Sequence, residues 1–554
     1  MTPVELLLIS PPDYATREFR GAQPLGIAYL AAVLREHAGI QCRIHDANVN
    51  GPQPFDELVQ ETLEFVAASQ AAGGRPVVGI SAVSQMIHTA ARLAARVKAA
   101  HPDTLIILGG YHPTFAHREI LRDFPAVDLC VRGEGELTLL EIMQRWQAAA
   151  PGLVSDWSDI AGVTWRQGDE IAVNLSRANL SDLDAVPFPA RDLLPPLDAY
   201  PPYADTVAGV MRHKASIMSS RGCPFHCNFC SIIAFYGDAG GKPWRGRSVD
   251  NVVAEMVHLA ETYGASHFEF QDDNFYVRPE RALAIVEKYA ATGRDFSFAF
   301  LTRADQVVRG ERYFPALRQA GLRYVSVGIE SGSEASLDRM VKQTGVETNR
   351  RALQILHDND VAAQVEFIMF EPGSTLSDLQ DNLRFIEQQG LFGYFPPLIF
   401  GSLLLLPGTP VREQIEQANG VTGPVHDALG YEFSDPAVTH VFDLMNGFQQ
   451  QLGEGWYRLA FELLDGIPAN EIALQSANLN GGAGHYGRLL AEQKLDFFAL
   501  TRIPYVVMRE ALRAVSAGSD VPAEKLLDQA AGQMQSIEER LRATRTELEV
   551  GLLQ

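Results

Sequence analysis

The chain has 554 residues, 46% hydrophobic and 21% charged, which is more than one core absorbs, since single cores stop growing at roughly 250–300 residues. Its 46 basic against 68 acidic side chains give a formal net charge of −22, which argues against nucleic acid as the main partner, because that affinity comes from Lys and Arg neutralising phosphates. No apolar stretch reaches the ~18–20 residues that span a bilayer, and five cysteines in so long a chain do not make a disulfide framework, so a reducing compartment, by default the cytoplasm, is expected.

The opening VELLLIS has no basic segment before it and reads as a first buried strand rather than an export signal. From Val4 to about Ala150, short apolar runs (ELLLIS, PVVGISAV, TLIILGG, DLCVRGE) alternate with helical patterns such as IAYLAAVLREH and AARLAARVKAA. That rhythm predicts an α/β domain over 1–150 with a doubly wound, Rossmann-like parallel sheet. Ligands of such sheets bind beyond the carboxyl ends of the strands, where GISAVS, LGGYH and VRGEGE fall. Over 151–205 the rhythm stops: a hairpin (GVTWRQGDEIAV) precedes the Pro- and Asp-rich LSDLDAVPFPARDLLPPLDAYPP, a linker draped over the next domain.

Alternation resumes over 206–424 with strands ASIMSS, HFEFQ, FSFAFLT, YVSVGIE, AQVEFIMF and a last one near Leu403, separated by helical segments. Six βα-type repeats fit a partial (βα)6 barrel, with function on the loops after the strands. Over 425–554 helical patterns dominate, and Met534, Ile537, Leu541, Leu548 and Leu552 mark one apolar helix face. Gly-rich LNGGAGHYG lacks the Lys-Ser/Thr of a phosphate loop and reads as a turn. Cys42 and Cys130, in IQCRIHDA and VDLCVRGE, read as small buried hydrophobes.

The segment SSRGCPFHCNFCSI places Cys223, Cys227 and Cys230 at Cys-x3-Cys-x2-Cys on one tight loop. A 4Fe-4S cubane has four iron corners usually held by four thiolates, so three leave one iron open to a substrate. The alternative is a zinc knuckle completed by His226 or His213, although zinc sites more often pair two Cys-x2-Cys units.

This motif, with the aromatic Phe229 just before the last cysteine, resembles that of the radical S-adenosylmethionine (SAM) superfamily. The resemblance implies that SAM chelates the open iron and that one electron from the cluster cleaves it to a 5′-deoxyadenosyl radical. It also implies an external electron donor such as flavodoxin or ferredoxin. Where that family carries a Gly-Gly-Glu type motif, this chain has FEFQDDNF, so Asp272 and Asp273 are candidates for contacting the methionine amino group; as a bare pair they also fit a solvated turn. Arg303 in LTRAD and Glu330 in VGIESGS fall where the family places contacts to the carboxylate and ribose, and the plainer reading is a salt bridge.

Residues 1–425 resemble the subgroup in which a cobalamin-binding domain precedes the radical domain, which includes the anaerobic magnesium-protoporphyrin cyclase type and many methylases. The pieces are PLGIAYLAAVLRE, GISAVS, LGGYHPT, VRGEGE, PFPARD, SSRGCPFHCNFC, QDDNF and GIESGS. The resemblance assigns cobalamin contacts to Ser81, Ser84, Gly109, Gly110, His112, Gly133 and Glu134. The Asp-x-His-x-x-Gly motif that offers a histidine to cobalt is absent from PPDYATREFRGAQPLG, so cobalt is expected without a histidine ligand, His112 serving the corrin tail or the structure. The implied function is cobalamin-dependent radical methylation of an unactivated carbon in a small biosynthetic substrate. The rival is a radical oxidoreductase, cyclase or rearrangement enzyme without methyl transfer.

Overall fold

The computed structural model describes residues 4–14, 22–49, 51–149, 156–237, 240–393, 397–419, 425–426, 430–476, 483–519 and 521–552. The turn expected at Gly481 and residues 15–21 of the loop after the first strand lie outside them. Two compact units result: Met1–Pro201 with His213–Phe296 and Leu404–Gly430, and Pro202–Arg212 with Ser297–Leu403 and Tyr431–Gln554.

The first unit is organised by a seven-stranded sheet of β1 (Val4–Ser10), β2 (Gln41–Asp46), β3 (Arg75–Ser81), β4 (Leu105–Gly109), β5 (Leu129–Val131), β6 (Val163–Gln167) and β7 (Glu170–Val173), in the order β2-β1-β3-β4-β5-β6-β7. Strands β1 to β5 are parallel. Successive side chains of a strand face opposite ways, and here both ways are apolar. Leu7, Ile9, Val78, Ile80, Ile106, Leu108 and Cys130 enter one core with the helices Phe55–Ala71 and Ile87–Ala100. Leu6, Leu8, Val77, Leu105, Ile107, Leu129 and Val131 enter the other with Leu25–Ala38 and Glu136–Ala148. This is the doubly wound layout that the sequence predicts, and the chain changes direction across the sheet between β1 and β3, where such sheets open a crevice.

The hairpin expected in the linker is present and extends this sheet as two antiparallel edge strands, β6 pairing with β5 through Leu129 and Trp165. The Pro-rich run follows as an irregular segment with two 3-10 turns, Arg191–Leu193 and Leu197–Ala199, and buries Leu183, Leu194, Leu197 and Tyr200. It touches both neighbours: Ala190 N–H donates to Ala28 O at 3.0 Å, and Asp184 accepts from Ser248 N at 2.8 Å. A short hairpin, β8 (Tyr203–Asp205) and β9 (Val210–Arg212), belongs to the second unit.

Still in the first unit, β10 (Lys214–Ile217) leads into β11 (Ser220–Gly222), which pairs antiparallel with β12 (Trp244–Gly246), while β13 (His267–Phe270) pairs parallel with β10. The second unit carries parallel β14 (Ser297–Arg303), β15 (Leu322–Glu330) and β16 (Ala362–Phe367). The sixth strand expected near Leu403 is reduced to a single bridge between Phe370 and Ser402. Both Met369 and Phe370 direct their N–H groups at one acceptor, Gly401 O, and Pro397 and Pro407 have no N–H to extend a ladder.

Three long helices, Pro436–Ser476, Ala483–Ser516 and Ala523–Leu552, form the helical C-terminal region. Met534, Ile537 and Leu541 of the expected apolar face are buried. The side chains of Leu548 and Leu552 lie outside the described residues.

Candidate functional site

The cysteine loop runs from the end of β11 to the helix Ser231–Gly237. Its entry depends on Gly222, whose φ of +84 suits glycine and whose Cβ, if present, would lie 2.1 Å from Pro243 O. The loop then turns tightly, with Cys230 N–H donating to Cys227 O at 3.2 Å. Cys227 is buried, whereas Cys223, Phe229 and Cys230 are half-buried.

The two aspartates after β13 serve this loop. Asp272, buried, accepts from Ser219 N at 2.7 Å, from Ser219 Oγ at 2.6 Å and from Ser220 Oγ. Asp273 accepts from Gly222 N at 2.7 Å, and burial pushes its carboxyl up to about 6. Asn274, the next residue, approaches Cys223 Sγ at 3.9 Å. The solvated-turn reading of the pair therefore fails, and Asp272 has its oxygens occupied by the strand that carries the cysteines.

The loop offers one Cys-x2-Cys unit and no second pair, whereas zinc sites more often join two. A cubane takes one thiolate on each of three irons, and three thiols within eight residues of one tight loop suit it. Burial, and then the neighbouring Cys227 and Cys223, push the Cys230 thiol up to about 12. A thiolate there needs a compensating positive charge, and cluster iron is such a charge.

In the second unit, the ends of β14 and β15 bring Arg303 and Glu330 together through a residue that sequence reading did not single out. Lys342 Nζ donates to Glu330 Oε1 at 2.6 Å and its carbonyl accepts from Arg303 Nη2 at 2.5 Å. Arg303 also reaches Asp305 at 2.8 Å. The salt-bridge reading of Glu330 is thus realised, yet its φ of +63 is a left-handed conformation for a residue with a Cβ, and strain of that kind concentrates at functional positions.

At the carboxyl ends of β1, β3, β4 and β5, a cavity of about 430 Å³ opens in the first unit. Ser10, Asn48, Ser81, Gly109, Gly110, Gly133 and Glu134 line it from the sheet side. Met218, Arg221, Phe235, Tyr236, Gln271 and Asp273 line it from the cysteine-loop side. Gly110 lets the backbone fold back: at φ +103, a Cβ would lie 2.8 Å from Ala82 O. A crevice with glycine walls at a switch point admits a nucleotide-like tail against bare backbone, and its largely apolar remainder suits a macrocycle.

Ser84 and His112 lie off that wall. Ser84 Oγ hydrogen-bonds His112 Nδ1 at 2.9 Å, and His112 Nε2 meets His426 Nδ1 at 3.0 Å. No histidine lines the cavity among the described residues. Glu134 does line it, but its carboxylate is gripped by Arg221 and Arg245 at 2.8 and 2.9 Å. Sequence reading passed over both arginines, although Arg221 stands next to the Gly-Cys that opens the motif.

Comparison with known proteins agrees with this geometry. Residues 20–143 match the B12 binding domain family and residues 217–386 the Radical SAM superfamily. An uncharacterized methyltransferase of Pyrococcus horikoshii is 30% identical over 393 residues, which cover 70% of this chain and 79% of that one. The anaerobic magnesium-protoporphyrin IX monomethyl ester cyclase of Rubrivivax gelatinosus is 26% identical over 65% of this chain and 61% of its own length. The hopanoid C-3 methylase of Methylococcus capsulatus is 25% identical over 64% and 62%. The chain thus spans about three fifths of those last two relatives. Among solved structures, the cobalamin-dependent SAM radical enzyme OxsB with aqua-cobalamin and SAM bound shares the fold, with a TM-score of 0.67 at 17% identity over 100% of this chain and 81% of that one. With a B12-binding domain and a radical SAM domain matched in that order and a relative 30% identical covered over 79% of its length, the chain belongs to the radical SAM superfamily, in the group whose radical domain follows a B12-binding domain.

Proposed function

We propose that this protein is a cobalamin-dependent radical SAM methylase acting on a small molecule. The observation that carries the proposal is that one cavity is walled on one side by strand ends of the B12-binding domain and on the other by Met218, Phe235, Tyr236 and Asp273, next to the cysteine loop. A corrinoid in it would share a wall with residues that flank the cysteine loop. When bound, the cluster and SAM supply a 5′-deoxyadenosyl radical that abstracts hydrogen from carbon, and cobalamin supplies the methyl group.

The chain's own residues bind, orient and shield. Cys223, Cys227 and Cys230 would hold the cluster, with Phe229 beside the last of them on the same loop. Asp272 fixes the strand that feeds the loop, while Asp273 holds Gly222 N and lines the cavity. Arg303 and Glu330, joined through Lys342, are the side chains proposed to contact the carboxylate and ribose of SAM. Ser81, Gly109, Gly110, Gly133 and Glu134 wall the corrinoid, Ser84 acting through His112 behind the wall. No histidine lines this cavity among the described residues, so cobalt there would have no imidazole from them. A flavodoxin- or ferredoxin-like protein supplies electrons, in the cytoplasm. Cyclase relatives keep a second reading in view, in which the substrate radical is closed into a ring without methyl transfer.

The test is the iron, sulfide and corrinoid content of anaerobically purified protein, with a Cys223→Ala/Cys227→Ala/Cys230→Ala variant beside it. About four irons per chain and one corrinoid are expected in the parent, with only the iron lost in the variant. With substrate, S-adenosylhomocysteine in proportion to product marks methylation, and deoxyadenosine alone marks the cyclase reading. Protein that takes up iron but no corrinoid, even with added cobalamin, sinks the methylase proposal.

A further inference from the structure

The cavity and the cysteine loop share a buried charge network that neither cofactor needs as a ligand. Arg221, two residues before Cys223, donates from Nη1 to Glu134 Oε1 at 2.8 Å and from Nη2 to Glu136 Oε1 at 2.6 Å. Across the β11–β12 pair, its register partner Arg245 grips Glu134 with both nitrogens, at 2.9 and 3.1 Å. The side chains of Arg221, Arg245, Glu134 and Glu136 are all below 10% exposed.

Two acids and two guanidinia balance in charge, and the planar forks accept only a narrow range of positions for the carboxylates. Tyr29 and Tyr236 stand against the guanidinia, with ring centroids 5.3 and 5.2 Å from the Arg221 and Arg245 carbons. Burial would raise the Glu134 carboxyl, yet the two arginines hold it below the usual carboxylate range, so it stays charged.

The placement matters more than the strength. Glu134 and Glu136 follow β5 of the B12-binding domain, whereas Arg221 belongs to the strand that delivers the first cysteine. Glu134, Glu136 and Arg221 also line the cavity, so a ligand filling it touches the same side chains that hold the loop. We propose that Glu134 is a positioning residue which, through Arg221 and Arg245, links occupancy of the corrinoid cavity to the order of the cysteine loop. The B12-binding domain thereby helps to set the cluster site instead of only presenting its own cofactor. This inference rests on the reading of the cavity as a corrinoid site.

The experiment is hydrogen exchange of the amides of residues 220–231 in the full chain, with and without hydroxocobalamin, whose uptake is followed by absorbance. In the parent, cobalamin is expected to slow loop exchange at least about fivefold, the lower end of usual coupling between sites. Glu134→Gln, which keeps shape but not charge, is compared at hydroxocobalamin concentrations that saturate it by absorbance, where it is expected to show less than about twofold slowing. Arg245→Lys keeps the charge without the fork and is the second variant should the first not fold; it is expected to lie between. A structural role alone would lower the melting temperature but leave the cobalamin-induced slowing intact. The same slowing in variant and parent overturns the proposal, as does a parent that binds cobalamin with no change in loop exchange. A parent that binds no cobalamin, seen directly in the absorbance titration, overturns instead the corrinoid reading beneath it.

Discussion

The sheet-end cavity and the cysteine loop lie side by side in one unit and are shaped by opposite means. The cavity's sheet side is shaped by what is missing: at Gly110 a Cβ has no room, since Ala82 O lies 2.8 Å from where it would sit. The loop is shaped by what is present, buried carboxylates that take hydrogen bonds from its backbone and hydroxyls. A cleft of the first kind tolerates exchange of its apolar lining but not an added methyl group in the wrong place. A loop of the second kind tolerates little change at the acceptor, because every donor it leaves behind is sealed from water.

Substituting Asp272→Ala tests the side-chain-built half most severely. One N–H and two hydroxyls lose their acceptor, at about 1–3 kcal/mol for each stranded group. Iron content after anaerobic reconstitution is expected to fall while cobalamin uptake persists; unchanged iron would show that the carboxylate holds nothing the cluster requires. The second unit offers the same architecture in an ion pair. Lys342→Met leaves the buried Glu330 carboxylate without its ammonium, a change expected to cost about 3–5 kcal/mol and read as a lower melting temperature together with weaker SAM binding. For the backbone-built half, Gly110→Ala puts a Cβ at φ +103 against Ala82 O, for about 1–3 kcal/mol. Here the expected signs reverse: cobalamin affinity drops and iron content holds. If Gly110→Ala lost iron as readily as Asp272→Ala does, the two sites would not be separable in the way their construction implies.

The same contrast explains what the sequence made legible. The cysteine spacing could be read because cluster chemistry demands three thiols within one turn, and the doubly wound sheet because strands buried on both faces are apolar throughout. The cavity's glycines had meaning only as an ordered series, since a single Gly-Gly pair marks any turn. Arg221, Arg245 and Lys342 were not legible. Glu134 and Arg245 are 111 residues apart in the chain, and no local pattern announces a pairing made only by folding. Asp272 and Asp273 stood out, but their hydrogen bonds back to β11 and the residue before it depend on β10 and β13 lying side by side. The last expected strand failed for a local reason, prolines and a glycine in an apolar run that periodicity alone reads as a strand. His112 was read as serving either the corrin tail or the structure, and its place behind the wall speaks for the second.

That place gives the smallest effect, one that acid reveals. His112 is buried between Ser84 and His426, and burial first, then the neighbouring His426, Arg412 and His88, hold it down at about 3 against an ordinary 6.5. Because the folded value is the lower one, the unfolded chain takes up a proton between those limits that the folded chain refuses. Stability from this group is therefore complete above about pH 6.5 and is lost as pH falls toward 3, by up to about 1.4 kcal/mol per pH unit. His112→Gln keeps hydrogen-bonding capacity and does not titrate, so its melting temperature is expected to fall less than the parent's between neutral pH and about pH 5. His426, whose ring burial likewise holds below the usual range and which reaches Asp123 at 3.3 Å, is the natural competitor for the effect. Equal acid losses in the variant and the parent would move the sensitivity to His426 and leave His112 a plain hydrogen-bonding post behind the cavity wall.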